Sequence, residues 1–184
     1  LKFVEFGRPG FCCAVGGAMR FSLATICCAA AQKGPGGKYD REVVTPLAGY
    51  TIFSKVADGE IQLALQVAGA SWVGFGIAES GGMAGSDIVH VTADLIEDGH
   101  ADFKAMPEKD ESQDWEKLSW TVADGVTTTE IKRKLAPCDM QDRPIIDDGR
   151  ATRVVIAYGD TTTLQYHRNL RSSLGINFFK DVPD

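Results

Sequence analysis

The sequence contains neither a cluster of basic residues nor a long apolar run. Its 19 Lys and Arg residues are outnumbered by 25 Asp and Glu residues, which gives a formal net charge of -6. Nucleic-acid binding requires a basic face that contacts phosphates, so we expect no nucleic-acid partner. No segment approaches the roughly 18 consecutive apolar residues of a membrane-spanning helix, so we also expect no direct membrane span.

Sequence signatures of common catalytic sites are also missing. The chain has no G-x-S-x-G motif, which would hold a nucleophilic serine in a sharp turn. The run Gly74-Phe75-Gly76 lies within a strand pattern and is not followed by a helical pattern, which argues against a phosphate-binding loop. We therefore predict that the chain is not an enzyme by itself.

The N-terminal residues have the pattern of an export signal. Met19 is followed by a basic Arg20 and then by an apolar run that ends in small residues at Ala31. This order is typical of a secretory signal peptide, although a buried N-terminal helix or strand is the alternative. We expect a protein that is secreted or lies at the extracellular face of a membrane. The predicted divisions are a non-native upstream extension over 1–18, a signal peptide over 19–31, a linker and first-strand lead-in over 32–48, and the folded domain over 49–180.

Of the five cysteines, Cys138 alone follows the predicted signal peptide. A single cysteine in an exported protein either bridges to a cysteine outside this segment or remains a free thiol, and the sequence leaves both open. The remaining four form the doublets Cys12-Cys13 and Cys27-Cys28, which lack the spacing of a zinc site.

Short segments with alternating polarity predict β-strands. Within Glu60–Val67, apolar residues recur at every second position, and Asp58-Gly59 supplies a turn, so a hairpin is predicted from Tyr50 to Val67. We predict an all-β fold, an immunoglobulin-like antiparallel β-sandwich, because short strands follow one another without a long helical segment. The further predicted strands are Ser71–Ala78, Asp87–Leu95, Trp115–Val122, Val126–Leu135 and Arg153–Tyr158.

Several motifs occur in order along the predicted domain. They are Trp72 to Ala78, Gly81 to Val89, Gln113-Asp114-Trp115, Cys138 to Asp142, Arg153 to Tyr158 and Tyr166-His167. This series resembles the DOMON family, which is named from the N-terminal region of dopamine β-monooxygenase-like proteins. The resemblance covers roughly Tyr50 to Phe179 and implies a β-sandwich that binds a redox cofactor or another ligand.

One branch of that family implies a haem protein. In the cytochrome-like branch, which includes the electron-transfer domain of cellobiose dehydrogenases, a b-type haem lies between a methionine and a histidine. The matching residues here are Met83 and His167, and such a pair fills both axial positions and favours electron transfer over oxygen binding. Trp72, Phe75 and Phe178 are the candidates to line an apolar cleft around the haem. The implied partner is a membrane b-type cytochrome or an attached oxidoreductase.

The other branch implies a haem-free module. The segments around Met83, Gln113 and Cys138 look closer to copper-dependent monooxygenase-like proteins, in which this domain precedes the catalytic domains and serves a regulatory or ligand-binding role. Met83 and His167 then only pack, and a disulfide from Cys138 would join it to a downstream domain, with a buried free thiol as the alternative. Copper hydroxylation needs several histidines, and the three in this chain form no close pair, so we expect no copper site within this chain.

Carboxylates are frequent in the predicted turns. Carboxylate oxygens suit a hard cation such as calcium, but the spacing of these residues matches no calcium-loop template. We therefore interpret them as solvated turn residues. They are Asp110, Glu111, Asp114, Asp139, Asp142, Asp147 and Asp148.

Overall fold

β-Strands supply nearly all of the regular structure in the computed structural model, which describes residues 33–179. The predicted all-β, immunoglobulin-like antiparallel sandwich is confirmed. No helix within these residues is long and apolar enough to cross a membrane. After a 3-10 turn at Pro35–Gly37, the strands are β1 (Arg41–Val44), β2 (Tyr50–Ala57), β3 (Glu60–Ala68), β4 (Trp72–Ala78), β5 (Ser86–Thr92), β6 (Ile96–Ala101), β7 (Glu108–Lys109), β8 (Glu116–Ala123), β9 (Val126–Lys134), β10 (Thr152–Gly159) and β11 (Arg171–Ile176).

The strands form two sheets that pack face to face. One sheet has five strands in the order β1-β2-β3-β9-β8, and the other has six in the order β11-β10-β4-β5-β6-β7. All neighbouring strands are antiparallel. The hairpin predicted from Tyr50 to Val67 is present as β2 and β3, in which Tyr50 pairs with Val67.

Alternation along each strand separates a core face from an outer face. On β4, Val73, Phe75 and Ile77 belong to the core, so Trp72 and Gly74 face the other way. Burial of each large apolar side chain stabilises the fold by about 1.5–3 kcal/mol. The largest fully buried side chains of this core are Tyr50, Ile52, Ile61, Leu63, Leu65, Val67, Val73, Phe75, Val89, Ile131 and Ile156.

The residues before β1 pack on the outer face of the five-stranded sheet. Tyr39 is fully buried there and forms a small cluster with Phe53 and Ala64, and the two rings lie 6.3 Å apart. Lys38 adds an ion pair to Glu130 at 3.0 Å. The segment assigned to a linker and lead-in over 32–48 therefore includes a docked portion. The upstream extension predicted over 1–18 and the signal peptide over 19–31 lie outside the described residues.

Candidate functional site

The outer face of the six-stranded sheet is built from small residues near its centre. Gly74 and Gly76 lie on β4, and Gly159 lies on the neighbouring strand β10. A Cβ atom at Gly76 would lie 2.7 Å from the backbone oxygen of Asp87 and 2.9 Å from the side chain of Ile88, so a larger residue does not fit. These glycines therefore let neighbouring groups lie against the sheet backbone.

A ring does approach this Gly-rich face, and it is the indole of Trp72. Three of its atoms occupy the space that a Cβ at Gly159 would need, and Cζ3 lies 3.5 Å from a Cβ placed at Gly74. The side chain is 2% exposed, and its buried Nε1 has no hydrogen-bond partner among the described residues. The outer face thus combines an apolar floor with an unused hydrogen-bond donor.

Met83 lies in the loop that joins β4 to β5 and is half-buried. Its backbone oxygen accepts a hydrogen bond from Ser86 N at 3.1 Å, which closes a turn within the loop. A cavity of about 350 Å³ opens beside this loop on the outer face. The cavity is lined by Gly81, Ala151, Arg153, Ser173, Leu174 and Gly175.

His167 lies in the connection between β10 and β11 and is also half-buried. Its ring lies 5.2 Å from the ring of Tyr166, which is 72% exposed. Burial lowers the pKa of His167, and the nearby charge of Arg171 lowers it further. The imidazole is therefore neutral at pH 7, which is the state in which a ring nitrogen binds a metal.

The two loops flank the outer face from opposite ends. In the register of β4 with β10, Ile77 pairs with Val154 and Trp72 pairs with Gly159. The loop with Met83 therefore leaves the sheet about 20 Å from the point where the loop with His167 begins, since a strand rises about 3.3 Å per residue. Both loops have to reach across the outer face for their side chains to bind one shared group.

Phe75 and Phe178 lie on the other side of the same sheet. Both belong to the core between the sheets, with exposed fractions of 1% and 2%. The ring of Phe75 packs edge-on against Trp115, with ring centres 6.0 Å apart. These two residues therefore support the sheet from beneath and do not share a surface with Trp72.

Apart from these residues, a cluster of charged side chains is buried at one end of the space between the sheets. It consists of Asp87 on β5, Asp98 on β6, Arg133 on β9 and Asp142 in the connection from β9 to β10. Arg133 Nη1 lies 2.8 Å from Asp87 and 3.3 Å from Asp142. One oxygen from each of the three carboxylates lies within 4.8 Å of the others. A single guanidinium therefore faces three carboxyl groups.

Burial raises the pKa of each carboxyl in this cluster. The pKa of Asp98 rises to about 7, first because the group is desolvated and then because the charge of Asp87 is close. Desolvation also raises the pKa of Asp142, and Asp87 and Asp98 add to the effect. Asp98 Oδ1 and Asp142 Oδ2 have no hydrogen-bond partner among the described residues. Such a set of oxygens either retains protons or holds a hard cation.

The interpretation of the turn carboxylates as solvated is wrong for Asp110 and Asp142. Both are buried, with exposed fractions of 4% and 8%. Asp142 is drawn inward by Arg133, and Asp110 forms a short hydrogen bond with His100 Nδ1. That hydrogen bond raises the pKa of His100. Asp110 and Asp142 are therefore part of the interior of the sandwich, whereas Glu111, Asp147 and Asp148 are exposed as predicted.

A family model of the DOMON domain matches residues 48–159. The chain belongs to the DOMON domain family. Among curated proteins, it is 33% identical over 115 residues to a DBH-like monooxygenase protein 2 from Homo sapiens and 35% identical over 106 residues to DBH-like monooxygenase protein 2 from Mus musculus. The matches cover 59% and 54% of this chain but only 22% and 16% of those relatives. The DOMON chain thus spans about a fifth of their length.

Solved structures with the same fold include two cytochrome domains. The cytochrome domain of cellobiose dehydrogenase from Myriococcum thermophilum superposes with a TM-score of 0.56 and 16% identity, covering 73% of this chain and 79% of that one. The cytochrome b domain of pyranose dehydrogenase from Coprinopsis cinerea gives a TM-score of 0.52 and 14% identity, covering 69% and 74%. At this level of identity, the similarity establishes a shared fold.

Sequence reasoning missed the buried cluster of this DOMON domain. Asp87, Asp98 and Arg133 lie on separate strands, and only strand pairing brings them together. A partial signal was present, since Asp87 alternates with Val89 and Arg133 alternates with Ile131, both of which are core residues. Period-two alternation thus assigns these charges to the core face, but it does not identify their partners.

Proposed function

We propose that this DOMON domain is an exported module that binds haem b between Met83 and His167 and acts in extracellular electron transfer. The observation that carries the proposal is that Met83 and His167 lie on the loops that follow two neighbouring strands of one sheet, β4 and β10. On the outer face of that sheet the Trp72 indole packs over the glycines, and the half-exposed Val155 and Ala157 of β10 provide apolar surface for a planar group. The fold shared with two cytochrome domains supports the same interpretation.

The donor atoms of these residues suit such a group, and both loops would have to reach across the outer face for Met83 and His167 to bind one iron. His167 is neutral at pH 7 because burial lowers its pKa, so it can supply a ring nitrogen without first losing a proton. Met83 supplies a soft thioether sulfur, which suits haem iron. Trp72 is buried and its indole N–H has no hydrogen-bond partner among the described residues, while Phe75 and Phe178 support the sheet from the core side. Haem, when bound, supplies one-electron chemistry.

Two protein ligands on one iron would leave no open position for oxygen or substrate. The module would therefore accept and pass on electrons without catalysing a reaction of its own. Its proposed partner is a membrane b-type cytochrome or an attached oxidoreductase or monooxygenase domain. We place this activity in the secreted fraction or at the extracellular face of a membrane, in agreement with the export signal expected from the sequence.

An absorption spectrum of the full chain with haem supplied, before and after reduction with dithionite, tests the proposal. We expect a sharp α-band in the reduced protein that is lost in Met83→Ala and in His167→Ala. Met106→Ala is the matched control, because this methionine is 57% exposed and lies outside both loops, and the band should persist. A folded wild-type chain without a haem spectrum would overturn the haem proposal.

The identity to DBH-like monooxygenase proteins favours a second candidate function. In this alternative, the domain is a haem-free regulatory or ligand-binding module of a copper-dependent monooxygenase-like protein, and Met83 and His167 only stabilise their loops. The same spectra distinguish the two, since the alternative expects no α-band in any variant. Co-purification with a downstream catalytic domain, linked through Cys138, would then be the next measurement.

A further inference from the structure

The loop that carries Met83 is fastened at both ends by one side chain, that of Arg143. Arg143 Nε donates a short hydrogen bond to the backbone oxygen of Gly85, at the end of the loop. Its Nη2 forms an ion pair with Glu79 at 3.1 Å, at the start of the loop. Arg143 comes from the connection between β9 and β10, so these contacts tie two segments that are remote in sequence.

Arg143 is itself held in place from the core side. Its backbone N–H donates to Asp87 Oδ2 at 2.9 Å, and its backbone oxygen accepts a short hydrogen bond from Arg133 Nη2. Asp87 and Arg133 form the buried ion pair at 2.8 Å, with side-chain exposures of 1% and 0%. The backbone of Arg143 is therefore anchored to a buried ion pair, and its guanidinium extends outward from a fixed point.

A backbone hydrogen bond from Gly85 N–H to Ala101 O on β6, at 2.6 Å, also holds the end of the loop. The other hydrogen bonds of the loop within the described residues are local or come from one further arginine. Ser86 Oγ donates to Gly82 O at 2.6 Å, and Arg153 Nη1 donates to Ser80 O at 3.1 Å. Gly81 and Gly85 adopt positive φ angles of 82° and 72°, which only a few residue types tolerate. A loop with glycines at these positions has much conformational freedom once its ends are released.

We propose that Arg143 is a positioning residue for Met83. It holds the loop over 79–85 in one conformation and thereby presents the thioether to the outer face. This inference rests on the proposed haem function. A thioether is a weak ligand, so its bound fraction depends strongly on how far the loop is preorganised before binding. Loss of Arg143 should therefore release the methionine ligand while His167 still holds the haem.

The first experiment uses the haem-loaded full chain with Arg143→Ala, Arg143→Lys and Met83→Ala. A methionine ligand raises the reduction potential of a haem, so we expect Arg143→Ala to lower the potential toward the value of Met83→Ala. The absorption spectrum of Arg143→Ala should also become more like that of Met83→Ala. Lysine keeps the positive charge but cannot donate two hydrogen bonds in the geometry of a guanidinium, so we expect Arg143→Lys to have an intermediate reduction potential. Arg150→Ala is the matched control, since Arg150 is 86% exposed and pairs only with Asp148 at 3.7 Å, and it should resemble the wild type.

The second experiment measures amide hydrogen exchange in the haem-free protein. We expect exchange in residues 79–85 to accelerate about tenfold or more in Arg143→Ala, while β9 remains protected. Glu79→Gln removes only the ion pair and should give a smaller acceleration, which keeps the test valid if Arg143→Ala folds poorly. Unchanged exchange over 79–85 in both variants would overturn the fastening role.

The two experiments separate the possible failures. Faster exchange with an unchanged potential and spectrum would show that Arg143 fastens the loop but does not position Met83, which overturns the inference. A wild-type chain without a haem spectrum overturns the proposed function, and the positioning role falls with it. The exchange data then still report whether Arg143 holds the loop.

Discussion

Arg133 brings a positive charge into the core of the sandwich, and three kinds of contact hold it there. It pairs with Asp87 and Asp142, donates to the backbone of the connection from β9 to β10, and lies 4.8 Å above the ring of Trp115. The low-dielectric interior strengthens these contacts but also makes each charge costly when its partner is missing. The residue is therefore a point at which small changes have large effects on stability.

Replacement of Arg133 by methionine should destabilise the fold strongly. The variant fills the same space but leaves Asp87 and Asp142 without their counter-charge, and breaking a buried pair costs about 3–5 kcal/mol. Urea unfolding followed by circular dichroism measures the change. Arg150→Ala, at an exposed ion pair, should unfold at the wild-type midpoint. A midpoint for Arg133→Met equal to that of wild type would show that the buried carboxyl groups do not need the guanidinium as a counter-charge.

The stability of the domain should depend on pH through the same cluster. Burial raises the pKa of Asp98 from 3.8 to about 7, so between these values the folded state holds a proton that the unfolded state has lost. The free energy of unfolding therefore falls as pH rises across this interval, and the stabilisation is complete only below the unfolded pKa.

Asp98→Asn should make the free energy of unfolding depend less on pH, because an amide does not titrate. Urea unfolding between about pH 5 and about pH 8, in a buffer with a chelator, measures it. The exposed Asp94→Asn is the matched control and should keep the wild-type slope. A wild-type protein whose stability is constant or rises across this range would contradict the assignment.

Individual strands were predicted well where side chains alternate and poorly where they do not. The segment predicted as Glu60–Val67 is β3 over Glu60–Ala68, and Val126–Leu135 is β9 over Val126–Lys134. β6 and β11 were missed because their sequences, IEDGHA and RSSLGI, are rich in polar residues and glycine. These segments are strands because a neighbouring strand offers backbone hydrogen bonds, which a single sequence does not reveal.

The same limit applied to the candidate site. The family resemblance identifies Met83 and His167, and the strand pattern of the sequence puts Gly74 and Gly76 at alternate positions, so they lie on the same face. Trp72 covers this outer face, whereas Phe75 lies on the core face of the same strand. Which side chain lies on which face depends on how the strand is oriented in the sheet. A shift of one residue would exchange the two faces, and only the core decides between them.

At the scale of the strand, β4 requires glycine at Gly76 for close packing against its neighbours. Alanine there would place a Cβ 2.7 Å from Asp87 O and 2.9 Å from Val155, and overpacking of this kind costs about 1–3 kcal/mol. Gly82→Ala is the matched control, because nothing lies within 4 Å of a Cβ at that position. Urea midpoints of the two variants give the comparison. Equal midpoints would show that β4 and β5 separate to accept the methyl group.

The molecule as a whole has one main core shared by the two sheets. Residues from β2, β3 and β9 of one sheet meet residues from β4, β5 and β10 of the other in a single cluster. Neither sheet can bury its inner face without the other. Folding of the described part of the chain is therefore expected to be cooperative, with both sheets forming together.

Single-tryptophan variants can test this cooperativity. Trp72 reports on the outer face of the six-stranded sheet, and Trp115 reports on the core between the sheets. One variant keeps Trp72 and the other keeps Trp115, with phenylalanine at the remaining tryptophan positions. We expect fluorescence and circular dichroism to give coincident urea transitions in each variant. A fluorescence transition at a lower urea concentration in the variant that keeps Trp72 would mean that the outer face unfolds before the core.

The two outer faces of the sandwich should tolerate mutation differently. Tyr39, Phe53 and Ala64 seal one face with the chain's own residues, so substitutions there act as core substitutions and reduce the yield of folded protein. The opposite face has half-exposed Val155 and Ala157 beside the Gly-rich strand, where substitutions should spare folding and impair ligand binding. Sequence changes on the side of the proposed ligand are therefore expected to leave the free energy of unfolding nearly unchanged, because the packing that stabilises the fold lies elsewhere.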